Sequence, residues 1–552
     1  MELERCLLDK EINKMLKELL QIPRNIIVSI GPTGCLNILY NESIKEKKND
    51  KLYTFPVNEI EMLSGEHINN LEKSLIEIIN EKYEEIDSII VYKTCGDMLM
   101  CSDFSLLIKR IKKEYGIIVK ILERGPISKR KISSKERLES LLIELKEELI
   151  QNKKIINARK IKLKGEMQHY IPPIVSDYSG ACSALYSSKI LKIVISPGGC
   201  KTPIIYDEIR NINESILYCS TMGEIEILLG DIDELNEKIK NILKKNKEID
   251  FIAIIKTVVP AIVGMDIESI AEKLEKETNL SVVSLNTNGF HNYYFGVSLT
   301  LKTLGKEFMK ENKKKKNSIN ILGYTPLTFG KTEKLKPLFS IIKSLKLEIQ
   351  SIFSHELSLD KIKKSTCAEL NLVLSHEGIE LAEFMKREYY IPYIIVNVIG
   401  IYGMKKTKEE LEKYFNLEYN QNKNYKEIDK RKVLVISSPV MAENIKQSLK
   451  EDFGITEVKI VSFMKKSGKM KKIYQHKYIE EIELIENEEK LKLLEEDYNP
   501  DIVVGDLVYK RLFERAKIFI PIIHHGYSTK LYMDFEYEYC GENGYNYLKK
   551  FL

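Results

Sequence analysis

Cysteine supplies the most chemically suggestive pattern in this chain. Two of its nine cysteines close the same short motif. The apolar run Ile26–Ile30 enters Gly31-Pro32-Thr33-Gly34-Cys35, and Lys192–Ile195 enters Ser196-Pro197-Gly198-Gly199-Cys200. Each reads as a buried strand broken by a Pro/Gly turn that delivers a thiol where a helix begins. A helix N-terminus favours thiolate over thiol, and thiolate is the metal-binding form. Cys95 follows a third apolar run, Ile89–Val91; Cys182 lies eighteen residues before Cys200, and Cys6 lies twenty-nine before Cys35. Cys35, Cys95 and Cys200, with Cys182 and Cys6 to complete the set, offer the roughly four thiolates that a cubane iron–sulfur cluster takes. Zinc also accepts four thiolates, but it usually draws on close C-x-x-C pairs, and the chain has none. Cys101, Cys219, Cys367 and Cys540 are expected to pack as small apolar residues. Ser375-His376 and His524-His525 fall at strand ends. There they either line a cofactor or substrate pocket or bond to loop backbone. His291 is expected to be structural. No Walker phosphate loop, no G-x-G-x-x-G after a strand and no Ser/His/Asp arrangement is recognisable.

These residues need elements that bring them together, and the chain supplies the same elements twice. Cys35 and Cys200 are 165 residues apart, as are Gly65 and Gly230; Asp87/Asp250 and Asp103/Asp266 differ by 163, and Gly125/Gly289 by 164. A register held over about ninety positions predicts an internal duplication. The counterpart of Cys95 in the second copy is Val258, so the copies are chemically unequal. Packed face to face about a pseudo-twofold axis, they would bring Cys35 and Cys200 together. Apolar runs alternating with amphipathic segments predict an α/β fold with parallel sheets. The boundaries expected are a first unit over 1–130, a helical linker over 131–169 with Leu138, Leu141, Leu142, Leu145 and Leu149 on one face, a second unit over 170–315, and two further domains over 316–420 and 430–552. In such sheets ligands sit beyond the carboxyl ends of the strands, where Cys35, Cys95, Cys200, Ser375 and His524 fall.

Bulk composition excludes several classes. With 86 basic against 81 acidic residues, the net charge of +5 gives no case for nucleic acid or a membrane surface. No apolar stretch approaches a membrane span, and the charged start Met1-Glu2-Leu3-Glu4-Arg5 lacks a signal core, so the expected location is cytoplasmic. Cysteines there are expected as thiols or metal ligands rather than disulfides. Lys313–Lys316 reads as a solvated loop.

The motifs resemble those of nitrogenase component 1 and its relatives, including the protochlorophyllide reductases and cluster-assembly scaffolds. The similar residues are Gly31-Pro32-Thr33-Gly34-Cys35, Gly65-Glu66, Thr94-Cys95 and Ser102-Asp103 in the first unit. In the second they are Ser196-Pro197-Gly198-Gly199-Cys200, Gly230-Asp231 and Gly264-Met265-Asp266. Further on come Ala368–Val373, Ile391-Pro392, Asn499–Val503 and Gly541–Gly544. The resemblance implies three Rossmann-like domains, here preceded by an extra copy of the first. It also implies an interface iron–sulfur cluster (a 4Fe–4S cluster on Cys35, Cys95, Cys182 and Cys200), an ATP-dependent iron-protein reductase as electron donor, and a small-molecule substrate between the last three domains near Ser375 and His524. The cluster interface would form within this chain, in a homodimer, or with a second component 1-like subunit. Val258 replaces a cluster cysteine, and Ser375 stands where nitrogenase places a cofactor-anchoring cysteine. The substrate is therefore expected to be a small or tetrapyrrole-like molecule rather than dinitrogen. The rival expectations are a non-catalytic scaffold or carrier for metalloclusters, and a degenerate relative that binds a small ligand without redox chemistry.

Overall fold

The structure, a computed structural model, describes residues 3–5, 14–123, 134–152, 167–197, 216–223, 226, 233–417, 427–464, 476, 478–479, 481–529, 531–532, 535 and 537–552. The Cys6 and Cys200 expectations fall outside these residues.

Four sheets follow one another along the chain. The first runs in the order β3 (Leu52–Pro56), β2 (Asn25–Gly31), β4 (Ser88–Lys93), β5 (Ile118–Glu123), all parallel. Every residue of β2 is buried, as expected of a central parallel strand covered on both faces. The second has β7 (Ile216–Ser220), β6 (Ile190–Ile195), β8 (Phe251–Lys256) and β9 (Ser281–Leu285) in parallel, with β1 (Leu3–Arg5) added antiparallel at the β7 edge. Leaving β1 aside, the two sheets share one strand order. The third is β11 (Glu348–Ile352), β10 (Ser318–Leu322), β12 (Leu370–Val373), β13 (Tyr393–Ile395). The fourth is β16 (Glu483–Ile485), β15 (Val458–Phe463), β14 (Val433–Ile436), β17 (Ile502–Gly505), β18 (Ile518–Pro521). Both are parallel throughout. The expected α/β class with several parallel sheets is what the chain adopts.

Strand β1 has no counterpart in the sequence reading. Three residues carry too little periodicity to announce a strand, and only the open edge of β7 makes them one. A helix runs over Ser134–Gln151, and its apolar face packs on the first unit. Leu138, Leu141 and Leu145 are buried with Tyr92 and Leu122 against the first sheet.

The two N-terminal units meet through reciprocal contacts. Cys95 and Leu99 of the first pack against the core of the second. Ile262 and Phe290 of the second pack against the core of the first. The short helices Cys95–Leu99 and Val258–Ile262, each following the third strand of its sheet, lie against one another at this seam.

Candidate functional site

The first turn works because two glycines let the backbone approach its neighbours. Gly31 has φ +145°, and a Cβ there would sit 2.3 Å from Thr94 Oγ1. Gly34 donates its N–H to Ser176 Oγ at 3.0 Å; a Cβ on Gly34 would fall 2.3 Å from that oxygen and 2.8 Å from the Tyr178 hydroxyl. The turn that carries Cys35 is therefore fixed both to the strand end that carries Cys95 and to the segment leading into the second unit.

Cys35 lies at the start of the helix Thr33–Lys45, and Cys95 is the first residue of its own helix. Both thiols are partly buried. Burial, and then the nearby Cys95 sulfur, push the Cys35 thiol up to about 12. Two thiols sharing a desolvated site resist joint ionisation unless a cation neutralises them, and a metal centre would do that. This donor pair fits a thiolate-ligated metal in part. Among the described residues no three His, Cys, Asp or Glu side chains gather as a metal requires, so Cys182 is not joined to the pair there. Cys182 sits in the fully buried helix Asp177–Ala184 among apolar side chains. It lies six residues past Ser176, about 9 Å along a helix. Cys219 departs from the expectation of thiols: it is buried and disulfide-bonded.

Beside Cys95 stands a polar pair that sequence reasoning missed. His67 Nε2 and Asp97 Oδ1 are 2.9 Å apart, with side chains 1% and 0% exposed. His67 Nδ1 meets the Glu61 carbonyl at 2.9 Å, and Ser102 Oγ lies 3.3 Å from Nε2. Burial pulls the His67 pKa down, but hydrogen bonds to Asp97 and Glu61 outweigh it and the net shift is upward. The Gly65-Glu66 motif held a partial signal. Gly65, at φ +75°, ends the helix Glu59–Ser64 and starts Glu66–Lys82, and this hinge aims His67 inward.

At the junction of the last three sheets, His376 and His524 flank Tyr294. Ring centroids are 4.7 Å apart for Tyr294–His376 and 5.3 Å for Tyr294–His524. The Tyr293 hydroxyl bridges Ser183 Oγ at 2.8 Å and Thr325 Oγ1 at 2.9 Å. His524 Nε2 lies 3.2 Å from Thr328 Oγ1, and its backbone N–H donates to Asp506 at 2.7 Å. Ser375 donates to the Gly323 carbonyl at 2.6 Å, and His525 Nδ1 meets the Thr529 carbonyl at 3.2 Å. Ser375, His376 and His524 thus converge on one junction, but Tyr293 and Tyr294, both buried, occupy its interior.

A cavity of about 490 Å³ lies next to this junction rather than in it. Its wall combines Thr33 and Pro56 from the first unit, Phe290 and Asn292 from the second, and Phe463 and Tyr527 from the last domain. Tyr527 separates cavity from junction, its ring 5.9 Å from His524. Thr33 ties the cavity to the cysteine turn. None of Ser375, His376, His524 and His525 lines it. His291, expected to be structural, does.

Sheets ending at such a seam define a class. The family described as nitrogenase component 1 type oxidoreductase matches residues 177–546, and the chain belongs to it. The molybdenum-iron protein alpha chain of Methanothermobacter marburgensis nitrogenase is 23% identical over 364 residues, 62% of this chain and 75% of that one. The Clostridium pasteurianum alpha chain is 26% identical over 215 residues, 37% of this chain and 38% of that one. One polypeptide of the light-independent protochlorophyllide reductase of Crocosphaera subtropica is 23% identical over 212 residues, 36% of this chain and 42% of that one. The chain therefore spans about two fifths of the length of two of these relatives. The solved structure "Nitrogenase Cp1 at pH 5" shares the fold, with a TM-score of 0.54 and 18% identity over 72% of this chain and 90% of that one. No helix among the described residues is long and apolar enough to cross a membrane.

Proposed function

We propose that this chain is an electron-transfer oxidoreductase in which Cys35 and Cys95 are thiolate ligands of a 4Fe–4S cluster at the seam between its two N-terminal units. Cys200 and a further thiolate, from Cys6 or another chain, complete the set. Such a cluster supplies one-electron transfer when bound. The chain's own contribution is to hold two thiols at adjoining helix starts, to shield them at a largely apolar seam, and to fix their turn through Thr94 and Ser176. Electrons come from an ATP-dependent iron-protein reductase and pass to a small molecule. The matching short helices Cys95–Leu99 and Val258–Ile262, each after the third strand of its sheet and packed on one another, support reading the chain as an extra first domain fused ahead of a complete component 1 subunit.

The observation that carries this reading is the nearness of Cys35 to Cys95, whose own helix lies against Val258–Ile262 across the seam. The test is anaerobic purification and reconstitution with iron and sulfide. Stoichiometric iron that falls by at least half in Cys35→Ser and in Cys95→Ser is expected. A colourless, iron-free protein would rule the proposal out. A carrier that loads and releases a cluster is the second reading. Iron that moves to an apo-acceptor protein, with no turnover when a reductase is supplied, would select the carrier.

A further inference from the structure

The helix that begins at the Cys35 turn reaches into the last domain. Asn37 and Asn41 stand two and six residues beyond Cys35 on the helix Thr33–Lys45, one turn apart on the same face, and both are buried. Asn37 Nδ2 donates to the Pro173 carbonyl at 2.6 Å and to the Tyr527 carbonyl at 3.0 Å. Asn41 Nδ2 donates to Thr529 Oγ1 at 2.9 Å and to Asn37 Oδ1 at 3.0 Å, which braces the pair. A second tie runs through the chain entering the second unit. There Val175 donates its N–H to the Gly526 carbonyl at 2.9 Å, and the next residue, Ser176, holds Gly34. The cysteine turn and the loop His524–Thr529 are thus joined by two routes.

The loop so held is strained. Thr529 has φ 42° and ψ −116°, a conformation that suits glycine and is costly for a β-branched residue. Such a conformation persists only while the surrounding structure imposes it. The same loop carries His524 to its place beside Tyr294. We propose that the loop His524–Thr529 is a conformational switch set by the cysteine site. A metal on Cys35 fixes the start of its helix, and the Asn37–Asn41 face then holds Thr529 in its strained form. With the site empty the helix start is freer, the grip weakens, and the loop relaxes and withdraws His524 from the junction. The proposal rests on the reading of Cys35 as a metal ligand. It adds that the histidine junction is fully ordered only in loaded protein.

Amide hydrogen exchange of the full-length chain, read by mass spectrometry before and after reconstitution with iron and sulfide, tests this. The loop offers amides to follow, since Tyr527 and Thr529 donate their N–H groups to the carbonyls of His524 and His525. Loading should slow exchange of the peptide over residues 524–529 by about fivefold or more, the low end of coupling between sites. Exchange of the strand Val433–Ile436, outside the clasp, should change by less than about twofold. Asn37→Ala cuts one tie, and Thr529→Gly both removes the strain and cuts the Asn41 tie. In each the response of the loop should fall below about twofold. Glycine accepts the native backbone at 529, so this variant carries the test even where Asn37→Ala does not fold. Loop exchange that ignores loading overturns the proposal. So does equal slowing of Val433–Ile436, or a full response in Thr529→Gly. Iron content of the same preparation separates the two ideas. Iron-loaded protein with an indifferent loop defeats the switch alone, and protein that takes up no iron defeats the cluster and the switch together.

Discussion

A buried histidine and a buried carboxylate beside Cys95 set the electrostatics of the seam. Among the described residues Asp97 Oδ2 has no hydrogen-bond partner, and His67 meets the other oxygen at 2.9 Å. Removing one member of such a pair strands the other. His67→Leu should therefore cost about 3 kcal/mol, and the double variant with Asp97→Asn should recover part of it, read as urea midpoints. The histidine pKa is raised, so its stabilising contribution is complete below about 6.5 and fades as pH rises through the folded-state value. The stability gap between parent and His67→Gln should accordingly be widest near pH 5.5 and narrow by pH 8.5. An unchanging gap would show that His67 is neutral throughout.

Two helices at the centre of the second unit pack at backbone distance. A Cβ on Gly296 would lie 1.9 Å from the Asp177 carbonyl oxygen, and one on Gly180 would lie 2.1 Å from that of Tyr293. Asp177–Ala184 and Tyr293–Phe308 therefore touch along their axes, and backbone cannot yield as a side chain can. Gly296→Ala should lower stability by about 3 kcal/mol, read as the thermal midpoint. It should also disturb the loop before Tyr293, where Asp177 accepts N–H bonds from Asn288 and Gly289. That loop forms part of the cavity wall. The strand-end turns were legible as elements for a simple reason: proline and glycine interrupt an apolar run wherever it stops. The closeness of the two helices was not legible, because small residues have several uses.

Across the whole molecule, three buried carboxylates pin backbone segments in place, and one of them, Glu488, does so between domains. Glu488 of the last domain accepts N–H bonds from His169, Tyr170 and Ile171, the chain entering the second unit, at 2.6 to 3.0 Å. Asp506 holds the His524 loop, and Asp177 the loop before Tyr293. Burial raises all three to about 7 despite the hydrogen bonds they accept. Their folded values exceed their ordinary ones, so their contribution is largest at low pH, declines between about 4 and 7, and is flat above that. Each unit of difference corresponds to about 1.4 kcal/mol. The thermal midpoint of the parent relative to Glu488→Gln should thus fall between pH 5 and pH 8, and a rising difference would contradict the buried-acid account.

The sequence by itself determined the α/β class, the strand-and-turn units that carry Cys35 and Cys95, and the membership suggested by their motifs. These features depend on local periodicity and turn chemistry, which neighbouring residues encode. Only the tertiary structure decided what meets what. It set Cys95 against the helix of Val258 and buried His67 on Asp97. It also filled the His376–His524 junction with Tyr293 and Tyr294, and opened the cavity beside that junction. Each of these depends on side chains far apart in the chain competing for one volume, and the winner is fixed by packing and desolvation rather than by spacing.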